Sequence, residues 1–406
     1  MPDAPVLSLC LATYNRARYL DRYLTHHLGL LDASGLDYEL VVSDNCSTDE
    51  TPQILARYAA QHSRMRVSRR PRNLGPYPNI LTTLHQARGE VVVSIADDDM
   101  AIPDQLIAYV RRMIDDPALV MIQSPWLLTD ETKGGAIVGK FYDFEGEMRF
   151  TSGQYGNCLA FVIQNHVFPE CWLIRRAALQ AIAGPMPRFT YGFFDMLAHA
   201  LGAGDVLFSP EPHIAATAIS EGGHVGNHEA MESWDIYRGG LEVMASYAQQ
   251  FNPGDLPDAS QVGNAILLFV CERMAVAARL QAHSRRWANT YELLRRLHAY
   301  QFRPLIDVDH DDVARLAAIE TAFLECSQLG ATQIVVGENI PEHIMELMTP
   351  IDGVRFIRAD AVSPDDARRA YCQVGEVVDA SMRPQDFGCD VVVVMGRFPI
   401  FPSVAA

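Results

Sequence analysis

The sequence predicts an α/β protein: a mostly parallel sheet with its helices in residues 1–229, a helical region in 230–329, and a small C-terminal α/β unit in 330–406. Three observations carry this. From residue 6 to residue 96, short apolar runs alternate with helical stretches, the pattern of parallel strands joined by crossover helices. Three of those runs end in polar residues, at Thr13-Tyr14-Asn15, Asp44-Asn45 and Asp97-Asp98-Asp99. After Ala230 the periodicity is helical almost throughout, and beyond Leu329 short apolar runs return.

Taken in order, Val6–Ala12 reads as a buried strand and Ala17–Leu31 as a helix with apolar residues at helical spacing. Tyr38–Ser43 is the second strand. A helix follows from about Asp49 to His62, with Ser47 or Thr48 as its cap and Pro52 where a first-turn proline is tolerated. Met65–Ser68, the helix Tyr77–Ala87 and the strand Glu90–Ala96 complete the alternation, and the last strand runs straight into the three aspartates. Asp104–Asp115 reads as a helix and Leu119–Gln123 as a strand. The Gly-rich, aromatic stretch to about Asn157 reads as loops and short antiparallel strands. Cys171–Arg175 and Val206–Ser209 are further strands, with helices at Ala177–Ala183 and Asp195–Leu201 between them. In the last unit, Gln333–Val336, Val354–Ile357 and Asp390–Met395 read as three strands.

Composition narrows the class. At 406 residues the chain exceeds the roughly 250–300 residues at which single cores stop growing, so more than one unit is expected. A net charge of −17 argues against a surface that grips nucleic acid or anionic lipid as a whole. Eight cysteines without a CxxC pair, and no signal peptide or apolar run long enough to span a membrane, point to reduced thiols in the cytoplasm.

Against that acidic background stands a local contrast. Arg57, Arg64, Arg66, Arg69, Arg70, Arg72 and Arg88 lie between Thr51 and Arg88 with no acid among them. Beside this stretch, Asp97-Asp98-Asp99 places three mutually repelling carboxylates at a strand end, where a divalent cation would relieve them. Hard cations such as Mn²⁺ or Mg²⁺ take oxygen ligands and bridge carboxylates to phosphates, and arginine pairs with phosphate oxygens. The pattern suits a metal-bound diphosphate, although on the triplet alone a solvated acidic turn is an equal reading.

Four segments, in order, carry a resemblance: Leu9-Cys10-Leu11-Ala12-Thr13-Tyr14-Asn15-Arg16; Val41-Val42-Ser43-Asp44-Asn45-Cys46-Ser47; Asn73-Leu74-Gly75 with Asn79; and Ala87-Arg88-Gly89-Glu90 leading to the aspartates. Together they resemble the family 2 nucleotide-sugar glycosyltransferases of GT-A fold, over roughly residues 5–220. The resemblance implies a Rossmann-like, mostly parallel sheet and a nucleotide-sugar donor, UDP-linked, bound by Thr13, Tyr14, Asn15, Arg16, Asp44, Asn73, Asp97 and Asp98. It implies Mn²⁺ or Mg²⁺ on Asp99 and Asp97, with His224 completing the metal shell. Asp195 would be the general base of an inverting transfer to a glycan, lipid-linked or other hydroxyl acceptor in bacterial surface glycan assembly. The family usually shows Glu-Asp there, and Phe194 stands in place of the Glu.

Downstream, Gly263 to Pro304 holds seven arginines against two glutamates. This suits a helical bundle or homo-oligomer interface, or else contact with an anionic acceptor or, peripherally, with the inner face of the membrane. Two other functions compete. A nucleotidyltransferase of related fold would carry a Gly-rich, lysine-bearing loop where Thr13-Tyr14-Asn15-Arg16 stands. A catalytically impaired sugar-nucleotide-binding or scaffold protein would explain the missing Glu.

Overall fold

The computed structural model describes residues 4–180, 190–221, 223–224, 227–256, 258–328, 330–336, 342–358, 369–375 and 391–396. The chain divides into two compact units, 1–226 with 235–269, and 227–234 with 270–406.

The first unit opens with β1 (Leu7–Thr13), α1 (Ala17–Ala33), β2 (Tyr38–Asp44), α2 (Thr51–Gln61), β3 (Met65–Arg69), α3 (Pro76–Gln86) and β4 (Val91–Ser94). It continues through β5 (Met100–Ala101), α4 (Pro103–Asp115), β6 (Leu119–Gln123), β7 (Leu127–Asp130), β8 (Ala136–Lys140), β9 (Met148–Phe150) and α5 (Tyr155–Gln164). β10 (Trp172–Arg175), α6 (Arg176–Gln180), α7 (Gly192–Ala203), β11 (Asp205–Phe208), β12 (Ile214–Ser220) and β13 (Gly223–His224) follow. α8 (Asn227–Glu232) belongs to the second unit and α9 (Asp235–Phe251) to the first.

An eight-stranded sheet runs β3-β2-β1-β4-β10-β6-β11-β9. Strands β3, β2, β1 and β4 are mutually parallel, as are β6 and β11, whereas β10 and β9 run antiparallel to their neighbours. β1 and β2 are buried on both faces, which is why they read as mainly apolar runs, with the buried Ser8 and Glu39 as partners inside them. A second sheet, β13-β12-β7-β8 with β5 on β12, ties the segment after the aspartates to residues more than a hundred positions later.

Two expectations here need correction. The cap of α2 is neither Ser47 nor Thr48: the helix begins at Thr51, and Asp49 accepts from its N–H at 3.0 Å while its other oxygen accepts from Ala17 N at 3.1 Å. One carboxylate thus serves the first turns of two helices, while Ser47 is committed to Asp44. The stretch read as loops to Asn157 already contains the start of α5. That helix is poor in strong helix formers, and its first turn is held from a distance by the Asp255 carboxylate, which accepts from Gly156 N at 2.6 Å and Asn157 N at 3.2 Å.

The helix α10 (Ala259–His283) crosses the unit boundary. The second unit continues with α11 (Trp287–Ala299), α12 (His310–Gln328), β14 (Gln333–Val336), α13 (Glu342–Glu346), β15 (Arg355–Arg358), β16 (Arg369–Gly375) and β17 (Val391–Gly396). Its sheet is parallel throughout, in the order β15-β14-β16-β17. Among the described residues it has four strands rather than three. β16 escaped the reading because Arg369 and Gln373 interrupt its apolar run, although it lies between two strands. Among the described residues no helix is long and apolar enough to cross a membrane.

Candidate active site

The carboxyl ends of β1, β2 and β4 bring most of the residues singled out above into one connected network. β1 pairs with β2 on one side and β4 on the other, so Thr13 and Asp44 end level and the aspartates leave the sheet beside them. The Thr13 hydroxyl donates to Asp97 Oδ2 at 2.7 Å. Arg16, just before α1, sets its Nε 3.3 Å from Asp97 Oδ1 and its terminal nitrogen 3.8 Å from Asp98 Oδ2. Thr217 on β12 donates its backbone N–H to Asp99 Oδ1 at 3.0 Å and its hydroxyl to the Asp98 carbonyl at 2.7 Å. No local signal in the sequence points to Thr217, which only the β5–β12 pairing delivers to the triplet.

Asp97 and Asp98 are buried and Asp99 is partly so. Burial pushes the Asp97 carboxyl up to about 6. Burial, then the neighbouring Asp98 charge, pushes Asp99 up to about 8. Closely set carboxylates so disfavoured in their charged form fit a divalent cation, and Asp99 Oδ2 has no hydrogen-bond or ion-pair partner among the described residues. No group of three or more His, Cys, Asp or Glu side chains is arranged to hold a metal among those residues. An ion held by so few protein ligands would take its remaining ones from phosphate and water. His224 pairs through its backbone with Ile219, and its side chain lies outside the described residues.

The second half of the network centres on Asp44. Its Oδ1 accepts from the Ser47 N–H at 3.0 Å and from the Ser47 hydroxyl, and its Oδ2 lies 3.2 Å from Arg69 Nε. The carboxylate is buried, and the Arg69 side chain beside it is half exposed. Asn15, in the left-handed region at φ 53°, accepts from Thr48 N at 2.8 Å and donates its own N–H to the Ser47 hydroxyl. Asn73 is exposed and joins through Asn45, whose amide donates to Asn73 Oδ1 at 2.8 Å and to the Gly75 carbonyl at 2.9 Å. Asn45 and the buried Asn79, whose side-chain amide accepts from the Ser43 hydroxyl and donates to the Ser43 carbonyl, organise this edge. Both stand inside motifs quoted above, but neither was assigned a role. Tyr14 projects into solvent, 40% exposed.

Asp195 stands apart. On the first turn of α7, it lies 3.8 Å from His199 Nε2, which in turn is 2.7 Å from the hydroxyl of Tyr247 on α9. Among the described residues no hydrogen bond or ion pair joins it to the aspartate triplet. Phe194 is fully buried, and a Cβ added at Gly240 would fall 2.5 Å from its ring, so position 194 belongs to the α7–α9 core.

Comparison with known proteins bears on this arrangement. Residues 8–183 match the family model described as Glycosyl transferase family 2. These residues form a family 2 glycosyltransferase domain. The domain holds all four quoted segments and the carboxylate triplet. The abequosyltransferase RfbV of Salmonella typhimurium is 31% identical over 143 residues, covering 31% of this chain and 42% of its own length. The poly(ribitol-phosphate) beta-N-acetylglucosaminyltransferase TarS of Staphylococcus aureus is 36% identical over 93 residues, covering 23% and 16%. This chain thus spans less than half the length of either. The crystal structure of S. aureus TarS 1-349 in complex with UDP-GlcNAc shares the fold, at TM-score 0.50 and 17% identity over 80% of this chain and 87% of that one. The glycosyltransferase domain therefore has the GT-A fold, with its mostly parallel sheet and a helical region after it.

Proposed function

We propose that this chain transfers a sugar from a UDP-linked donor to a hydroxyl acceptor with inversion, in the assembly of a bacterial surface glycan. The observation that carries the reading is the carboxylate pair at the sheet's carboxyl edge, Asp97 buried and Asp99 partly so, within hydrogen-bond and ion-pair reach of Thr13, Arg16 and Thr217. Abequosyl and N-acetylglucosaminyl transfer in the names of two relatives supports a sugar-nucleotide donor and a surface-glycan setting.

In this reading Asp97 and Asp99 hold Mn²⁺ or Mg²⁺, which when bound neutralises charge on the departing diphosphate. Thr13 keeps Asp97 oriented. Arg16 leaves its carboxylate partners to meet phosphate oxygens, a role suited to a half-exposed guanidinium on a short reach. Asp44 accepts from the base once Arg69 has moved, Asn73 and Asn15 flank the nucleotide, and Tyr14 offers a ring face. Asp195 takes the acceptor's proton, and His224 joins the metal shell. Residues 1–229 are the catalytic domain and 230–329 an oligomerisation or acceptor-side region, at the inner face of the membrane. The unit 330–406 is given no role.

A second reading, a sugar-nucleotide binder without turnover, is favoured by one observation: Asp195 is engaged with His199 beside a core Phe194. Thermal shift with UDP, GDP, dTDP and CDP, each with and without Mn²⁺, tests the donor site common to both. A Mn²⁺-dependent shift with UDP is expected, and no metal-dependent shift with any of the four would remove the donor-site assignment.

A further inference from the structure

One helix touches the aspartate loop at both ends. From α1, the Tyr23 hydroxyl donates to the carbonyl of Ile95, just before the triplet, at 3.2 Å. Arg22 reaches the Asp98 carbonyl at 3.2 Å. His26 Nε2 donates to the Ala101 carbonyl at 2.9 Å, and His27 Nε2 accepts from the Ala101 N–H at 3.1 Å.

His27 is the most constrained of these. It is fully buried, and its Nδ1 meets the Tyr23 carbonyl at 2.8 Å. A carbonyl can only accept and an amide N–H can only donate, so these two backbone partners fix the ring as neutral with its proton on Nδ1. Burial favours the same state, holding the ring down at about 3. Both nitrogens are used, and no water is needed to satisfy either. Tyr23 is likewise fully buried. Immediately before α1, Arg16 faces Asp97, so one helical body carries contacts to the carboxylates themselves and to the backbone on either side of them.

We infer that His27 and Tyr23 are positioning residues for the metal-binding carboxylates: anchored in α1, they hold Ile95 and Ala101 so that Asp97 and Asp99 face one ion. The inference rests on the proposed function above, because it presumes that the pair binds a cation. It goes beyond that reading by assigning a task to two buried groups that touch neither donor nor acceptor. The physical reason is leverage. The triplet spans a turn with no regular structure of its own between β4 and β5, so the spacing of its carboxylates depends on where its two ends are pinned. β12 holds this turn through Thr217 and through its pairing with Met100 and Ala101, and α1 holds it through Ile95, Asp98 and Ala101.

The test is Mn²⁺ binding in the presence of UDP, followed by the paramagnetic signal of free Mn²⁺ and needing no turnover. Groups bonded directly to metal ligands typically cost about 10–100-fold in metal affinity when removed, and His27 and Tyr23, which hold the adjoining backbone, are expected at the lower end of that range. His27→Leu is expected to weaken Mn²⁺ by about that factor. His27→Gln, which can still accept from Ala101 and donate to Tyr23, should recover most of it. Tyr23→Phe, which deletes only the hydroxyl bond to Ile95, should weaken binding in the same direction and supplies a folded comparison if His27→Leu does not fold. Leu31→Ala serves as the control, since it removes buried volume from the same helix without a hydrogen bond to the loop. Wild-type Mn²⁺ affinity in folded His27→Leu and in Tyr23→Phe would overturn the inference, and so would an equal loss in Leu31→Ala. If the wild type itself binds no Mn²⁺ with UDP, it is the metal-site reading that fails.

Discussion

The Thr13 hydroxyl donates to Oδ2 of Asp97 at 2.7 Å, joining the end of the first strand to the carboxylates that follow the fourth. Thr13→Val keeps the shape and deletes the donor. Removing one partner of a buried polar group costs roughly 1–3 kcal/mol, so UDP affinity in Mn²⁺, followed by fluorescence titration, should weaken correspondingly. An unchanged affinity would show that Asp97 is held by other means.

Stability should depend on pH with a definite sign. Asp97 and Asp99 are raised to about 6 and about 8, so the folded state binds their protons more tightly than the unfolded chain. Their contribution is present below the ordinary carboxylate range, near 4, and is lost as pH rises through those values. His27 and His213 are both lowered to about 3 by burial, and they act oppositely, adding stability as pH rises from there towards 6.5. The two effects oppose one another between 4 and 6.5, and above that Asp99 acts without the histidines. The melting temperature should therefore fall from pH 6.5 to 8.5, and Mn²⁺ with UDP should flatten the fall. A flat metal-free profile over that range would contradict the raised Asp99.

Asp195→Asn should leave UDP binding intact and abolish transfer to the acceptor. Transfer at the wild-type rate would remove Asp195 from the mechanism, and loss of UDP binding would mean that it acts through the donor site instead.

The start of α5 depends on Asp255. Asp255→Ala removes the acceptor for two N-terminal amides and should cost roughly 0.5–2 kcal/mol, measured by urea denaturation. Gly156→Ala should cost more, because its Cβ would fall 2.1 Å from the Asp255 carbonyl oxygen, a backbone atom that cannot rotate away. If Gly156→Ala proves neutral, the close approach of these two segments is wrong.

How much could be read beforehand follows from where each signal lives. β1, β2 and β4 were legible because strands buried on both faces are mainly apolar, despite Ser8 in β1 and Glu39 in β2, and the polar residues at their ends were legible because they follow directly in sequence. Thr217, Asp255, Tyr23 and His27 were not assigned roles, since each acts on a residue between 72 and 119 positions away and looks locally like any helix or loop residue. Phe194 shows the limit of reading by motif. Treated as a missing acid, it is a fully buried core ring, and Phe194→Glu should destabilise the fold by burying a carboxyl among the packed α7 and α9 residues.

The central claim is that Asp97 and Asp99 bind a nucleoside diphosphate through a divalent cation. Titration calorimetry of UDP with and without Mn²⁺, on the wild type and on Asp99→Asn, tests it most directly. Mn²⁺ is expected to strengthen UDP binding at least tenfold, about 1.4 kcal/mol, in the wild type and to have little effect in Asp99→Asn. UDP binding of equal strength in all four titrations would contradict it.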